Sequence, residues 1–141
     1  MSVFVSLTTY AQSSEQLSEI LKSPSVTAAQ ASYLAAVYAN AIGDEDDASQ
    51  AFEAMQKEGL FSDEVTADSE VNLAQVSYVY MQALGLKGGL FYTLFPSKRY
   101  AFKELKAKGI LPKEADPSMK ISGRDSIDIF NTCLGLTEGD K

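Results

Sequence analysis

The sequence predicts a mainly α-helical fold assembled from three copies of a two-helix unit. Three observations carry that prediction. The first is internal repetition. Val26-Thr-Ala-Ala-Gln30-Ala-Ser32-Tyr33 returns 45 residues later as Val71-Asn-Leu-Ala-Gln75-Val-Ser77-Tyr78, and Ala83-Leu-Gly-Leu86 returns 50 residues later as Cys133-Leu-Gly-Leu136. The second is a matched pair of helix stops. The stretch from Gln50 and Phe52 to Gly59-Leu60 reappears 50 residues on as Tyr100 and Phe102 to Gly109-Ile110, and each glycine is placed to end a helix in a left-handed conformation. The third is a set of helix-start signatures in register. Thr27, Asn72 and Ser122 can each accept a hydrogen bond from a free helix N–H, with Gln30, Gln75 and Asp125 three residues later and Val26, Val71 and Ile121 just before. A repeated unit of this size seldom buries its apolar face alone, so neighbouring copies are expected to complete one another's core.

The elements follow in order. Residues 1–12 hold a short apolar run, then Thr9 and Ala11 at the spacing of a signal-peptide cleavage site. The basic leader of such a peptide is missing, which a start placed too far downstream accounts for; an ordinary first strand is the alternative. One helix type is expected at 13–22, 48–58 and 97–108, where Leu17, Ile20 and Leu21, then Phe52 and Met55, then Phe102 and Leu105 have helical spacing. A second type is expected at 27–42, 72–86 and 122–136, each opening at one of the caps. Together they define a single domain over 13–136, with units 13–42, 48–86 and 97–136 and a tail at 137–141. The apolar steps Leu60-Phe61 and Ile110-Leu111 read as brief strands or turns packed inward.

The two connections between units differ. Residues 43–47, Gly-Asp-Glu-Asp-Asp, lack the alternating ligands and central glycine of a calcium loop, and suit the N-terminal dipole of the following helix. Residues 87–96, Lys-Gly-Gly-Leu-Phe-Tyr-Thr-Leu-Phe-Pro, are strongly apolar. Such a loop is expected to be buried against the repeats, the alternative being a partner-binding patch.

Composition excludes several functions. The chain has 141 residues, no histidine and one cysteine, Cys133. Catalysis by Ser-His-Asp or Cys-His, a histidine metal site, a cysteine-rich zinc site and an internal disulfide are therefore excluded. No cofactor or metal is expected, and no apolar run is long enough for a transmembrane segment. Cys133 sits among Ile129, Phe130 and Leu134 and reads as a core residue.

Net charge is −7, unevenly spread. Residues 1–95 carry three basic groups against twelve acidic ones, giving −9; residues 96–141 carry nine against seven, giving +2. The overall balance disfavours nucleic acid. The basic stretch 98–108 is either a solvated helix face or a docking surface for an anionic polymer or a neighbouring copy. The residues singled out for binding are Lys98, Arg99, Lys103 and Arg124, with Tyr92 and Tyr100 as aromatic contacts.

The assembled motifs resemble S-layer homology repeats, over nearly the whole chain. Phe95-Pro-Ser-Lys-Arg-Tyr100-Ala-Phe102 through Gly109-Ile110 is similar to the aromatic-Ala helix and Gly-Ile step of that family, with Tyr100 where tryptophan is usual. Val26-Thr-Ala-Ala-Gln30, Val71-Asn-Leu-Ala-Gln75 and Ile121-Ser-Gly-Arg-Asp125 are similar to the β-branched–Thr–Arg–Ala–Glu segment that opens the next helix. The resemblance implies three pseudo-symmetric two-helix repeats around a central three-helix bundle, and a non-catalytic role at the cell envelope. It also implies anionic cell-wall polysaccharide bound between units through the motif arginine. That arginine's place is taken by Ala28, Leu73 and Gly123, with Arg124 one residue displaced, so the scaffold is expected to persist without the family's ligand site.

The function expected is therefore that of a non-enzymatic structural or binding protein, exported to the periplasm or cell surface. Its partner is an envelope protein or an anionic cell-wall polymer. Self-association into a filament or surface layer is one alternative, with the acidic and basic segments meeting head to tail. A helical cytoplasmic adaptor is another, if residues 1–12 are no signal segment.

Overall fold

The computed structural model describes residues 15–38 and 47–139. The expectations for the signal segment at 1–12, for most of the acidic connection 43–47 and for the last residues of the tail lie outside the described residues.

The protein is mainly helical. Among the described residues seven helices run in the order α1 (15–22), α2 (Ala28–Tyr38), α3 (Ala48–Lys57), α4 (Leu73–Leu84), α5 (Leu90–Leu94), α6 (Lys98–Ala107) and α7 (Gly123–Gly139). No strand forms among them; β pairing is confined to isolated antiparallel bridges between Thr27 and Glu70 and between Asn72 and Lys120. The steps at 60–61 and 110–111 are bends, and the inward packing expected of them is present: Leu60, Phe61 and Leu111 are buried.

The helix boundaries follow local chemistry. Thr27 and Gln30 close a reciprocal capping box at the start of α2, with N–H to side-chain oxygen distances of 3.1 and 3.2 Å. Asp47 and Gln50 do the same for α3, at 2.7 and 3.0 Å. Asn72 Oδ1 accepts from the Gln75 N–H at 2.9 Å and Ser122 Oγ from the Asp125 N–H at 3.1 Å. Gln75 does not return to its cap. Its amide is buried and donates instead to the Leu60 carbonyl at 2.8 Å, tying α4 to the bend after α3.

At their far ends α3 and α6 stop identically. Gly59 and Gly109 take φ of 85° and 80°, where a Cβ is unfavourable. The Leu60 and Ile110 N–H groups then reach back to the Met55 and Leu105 carbonyls, at 3.1 and 3.0 Å. This double stop satisfies the last helical carbonyls and turns the chain inward. The loops that follow also correspond. Val65 N–H bonds Ser62 and Ser69 N–H bonds Thr66; 50 residues on, Ala115 N–H bonds Pro112 and Met119 N–H bonds Asp116.

Those loops lie across the starts of α2 and α4. Ala28 and Ala29 N–H groups donate to Ser69 and Ala67, at 2.8 and 3.0 Å, and Leu73 and Ala74 N–H groups donate to Met119 and Pro117, at 2.8 and 3.1 Å. The start of α7 is met by the end of α1, through Gly123 N–H to the Ser23 carbonyl at 2.9 Å. The three starts are also linked to each other: Val26 N–H to Ile121 at 2.7 Å, and Val71 N–H to Val26 at 3.2 Å. Helix N–H groups that have no intrahelical partner are thus satisfied by neighbouring backbone.

Helices α2, α4 and α7 touch one another, while α3 lies on α2 and α6 on α4. α3 and α6 therefore each pack on the long helix that precedes them in the chain. The buried face of α2 is largely alanine (Ala28, Ala31, Ala35 and Ala36), which lets neighbouring backbones approach closely. Larger groups come from α4, α6 and α7: Val76, Val79, Tyr80, Met81, Leu105 and Phe130. The Tyr80 and Phe130 rings meet edge to face at 5.1 Å, and the Tyr80 hydroxyl donates to the Ser126 carbonyl at 3.2 Å. Buried Ser32, Ser77 and Ser126 donate to the carbonyls of Ala28, Leu73 and Gly123. Among the described residues no buried side-chain polar atom lacks a partner.

Burial pushes the Cys133 thiol up to about 12 and raises the Tyr80 hydroxyl well above its ordinary range. Once unfolded, the two groups ionise near 9.0 and 10.0. Above those values the unfolded chain binds fewer protons than the folded one. This contribution to stability is thus fully present below pH 9.0 and is lost as the pH rises toward about 12. A denaturant series at increasing alkaline pH should show the midpoint falling, and native Cys133 should resist alkylation until the fold opens.

Gly123 has no room for a side chain, since a Cβ there would lie 1.6 Å from the Ile20 carbonyl oxygen. Gly123→Ala should force α1 away from α7 and cost about 3 kcal/mol of stability, measured by urea unfolding.

A candidate docking surface on α5 and α6

The apolar connection 87–96 is not the buried loop expected of it. It forms α5, and its side chains divide between two faces. Tyr92 is buried, whereas Leu90, Phe91, Leu94 and Phe95 are 59% to 69% exposed. The spacing explains the division. Positions 90, 91, 94 and 95 share one side of a helical turn, and 92 points away from them.

Two hydrogen bonds hold α5 in place. The Tyr92 hydroxyl accepts a hydrogen bond from Gln82 Nε2 on α4 at 2.7 Å. Burial raises the Tyr92 hydroxyl above its ordinary pKa, and the Gln82 bond opposes that rise. At the start of α5 no side chain of its own caps the helix. The Gly89 N–H donates to Glu104 Oε1 on α6 instead. The only carboxylate of α6 is thereby committed to a helix N-terminus, where negative charge is favourable.

Helix α6 supplies the other half of the surface. Ser97 caps it, accepting from the Tyr100 N–H at 3.3 Å. Ala101, Phe102 and Leu105 face the core, which turns Lys98, Arg99 and Lys103 to solvent. The Tyr100 ring is half-buried and stacks on Phe91, with centroids 5.7 Å apart and planes 14° from parallel. Lys103 Nζ lies 5.7 Å from the Tyr100 centroid, a cation–π arrangement. An open groove of about 380 Å³ runs between α5 and α6, lined by Phe91, Tyr92, Tyr100, Lys103 and Glu104 among others. Lys106 is engaged elsewhere, its ammonium donating to the Ala115 carbonyl at 3.2 Å. Fifty residues earlier Gln56 braces the equivalent loop, donating to Ser62 and Val65 at 2.9 and 3.1 Å.

Of the residues singled out in the sequence, the structure brings Tyr100 and Lys103 together on this surface and puts Lys98 and Arg99 on the exposed first turn beside them. Tyr92 supports the surface from beneath. Arg124 is exposed in the first turn of α7 and lines no part of this groove. The exposed residues of α5 were not selected from sequence, because average composition suggested burial. The apolar pairs four residues apart are the signal that could have found them.

A second groove, of about 280 Å³, opens beside the start of α2. Glu19, Asp47 and Asp68 line it with Gln16, Thr27 and Gln30, and no lysine or arginine is among its lining residues. Three separate elements contribute these carboxylates, so no sequence motif joins them. A groove of that charge repels an anionic polymer. Among the described residues there is no group of three or more His, Cys, Asp or Glu side chains able to hold a metal ion. No helix among them is long and apolar enough to cross a membrane.

No protein-family model, curated protein or solved structure matches this chain.

Because Tyr92 is the buried anchor of α5, Tyr92→Ala should release that helix at a cost of about 3 kcal/mol. Hydrogen exchange should then show amides 91–95 losing protection while those of α4 keep theirs relative to global stability.

Proposed function

We propose that the protein is a non-enzymatic binding module of the cell envelope, exported to the periplasm or cell surface, that docks through α5 and the exposed face of α6. One observation carries this reading. A protein of net charge −7 exposes four large apolar side chains beside Lys98, Arg99 and Lys103. Exposing such a cluster is unfavourable in water unless something covers it. The groove beside Thr27, where the resemblance would put a polysaccharide, is acidic, which leaves α5 and α6 as the favourable surface for an anionic partner.

The scaffold reading is of three two-helix units of the S-layer homology type, with α2, α4 and α7 as the inner bundle. It is supported by the caps at Thr27, Asn72 and Ser122, by the matched stops at Gly59 and Gly109, and by the loops that bridge successive inner-helix starts. A non-catalytic role is supported by the absence of histidine from the sequence and by a lone thiol held protonated in the core.

Co-sedimentation with isolated envelope fragments tests the proposal. Wild-type chain should pellet with them. The double substitution Phe91→Ser and Leu94→Ser should reduce pelleting at least tenfold without lowering the melting temperature. Pelleting that is unchanged by this pair, and by Lys98→Glu, Arg99→Glu and Lys103→Glu together, rejects the surface as the site.

A further inference from the structure

The apolar and basic parts of this surface have different geometries, and together they limit what can cover it. The four apolar side chains of α5 project outward, at 59% to 69% exposure, from a segment of five helical residues and its cap. They form a knob on the rim of the α5–α6 groove, which Leu90 and Phe91 also line. Around it, residues 87–108 carry six cations (Lys87, Lys98, Arg99, Lys103, Lys106 and Lys108) against the single carboxylate of Glu104. That is +5 in a chain whose total is −7. Lys106 and Glu104 are engaged within the protein, which leaves five exposed cations close in sequence to the knob.

We infer that this surface docks the protein on an anionic lipid bilayer, the apolar knob entering the boundary between headgroups and acyl chains and the cations lying over lipid phosphates. The inference rests on the reading of α5 and α6 as the docking surface and names its partner. Three considerations favour lipid over protein. A stable protein interface takes roughly 20–30 residues a side, far more than this knob supplies. A projecting cluster needs a shaped pocket on a protein partner, whereas a fluid interface conforms to it. The charge asymmetry also orients the molecule: an anionic surface attracts the α5–α6 end and repels the acidic remainder. None of the described helices can cross a bilayer, so the arrangement is one of lying on the membrane.

Flotation of the full chain with extruded vesicles tests this. Phosphatidylcholine vesicles containing about one-third phosphatidylglycerol should carry the protein upward at low salt, and phosphatidylcholine alone should not, each cation contributing roughly a fivefold factor to partitioning. Lys98→Glu, Arg99→Glu and Lys103→Glu combined should weaken partitioning at least a hundredfold, and Phe91→Ser with Leu94→Ser should abolish it, while the melting curves of both variants match wild type. A Phe95→Trp reporter should shift its emission to the blue when anionic vesicles are added.

Equal binding to neutral and anionic vesicles overturns the inference. So does failure to float while the chain still pellets with lipid-extracted envelope protein through Phe91 and Leu94; in that case the docking surface stands and its partner is a protein. Failure to float accompanied by salt-sensitive oligomers that Leu94→Ser dissolves overturns it in favour of a second copy. Binding to neither vesicles nor envelope fragments overturns both the inference and the functional reading beneath it.

Discussion

Two backbone hydrogen bonds, from Val26 N–H to Ile121 and from Val71 N–H to Val26, hold the starts of three helices at one place. The consequence extends to both ends of the molecule. With their starts linked, α2, α4 and α7 touch one another, and Ala31, Val76, Tyr80 and Phe130 on them are buried. The loops at 60–71 and 110–121 must then close over those starts, because N–H groups at Ala28, Ala29, Leu73 and Ala74 would otherwise be buried without partners. Since α3 and α6 lead directly into those loops, their positions on α2 and α4 follow as well. Each of these bonds is worth only about 1 kcal/mol net, yet leaving the same groups unpaired costs more, so the geometry is enforced chiefly by the penalty for breaking it.

Features governed by local rules were legible in the sequence. Thr27, Asn72 and Ser122 all accept the expected hydrogen bonds, and Gly59 and Gly109 adopt the left-handed conformation. Cys133 is buried as its apolar neighbours suggested. What failed was inference from composition. The segment 87–96 looks uniformly apolar, but a helix divides it into a buried Tyr92 and four exposed neighbours. Gln75 is expected to complete a capping box with Asn72; its backbone N–H does bond the cap, but its side chain goes to Leu60, since tertiary structure offers a buried acceptor that the isolated motif does not contain. The acidic groove was invisible for a related reason: Glu19, Asp47 and Asp68 meet only after three elements have packed.

Gly123 is required by a close approach of backbone. A residue with a side chain at this position would collide with the Ile20 carbonyl, where α1 crosses the start of α7. The close approach of α1 therefore accounts for a glycine at this position, and the next residue, Arg124, is exposed. Ala28 and Leu73 occupy the corresponding places in the other two starts and are buried in the core.

The bounds of the segment that carries α5 have a consequence for how the protein can change. It begins just beyond the left-handed Gly85, which closes α4 through its own backbone bonds, and finishes at Ser97, which starts α6 with its own side chain. Neither boundary draws on Leu90, Phe91, Leu94 or Phe95 for its hydrogen bonds. The connection is therefore a replaceable cassette, able to vary in length and chemistry while the helices on either side keep their terminations. The chain already holds a five-residue acidic connection at 43–47, ending at the cap Asp47, beside a ten-residue apolar one at 87–96. Exchanging this one connection would change the exposed apolar side chains at the cost of a single core residue, Tyr92, while the ends of α4 and α6 stay as they are.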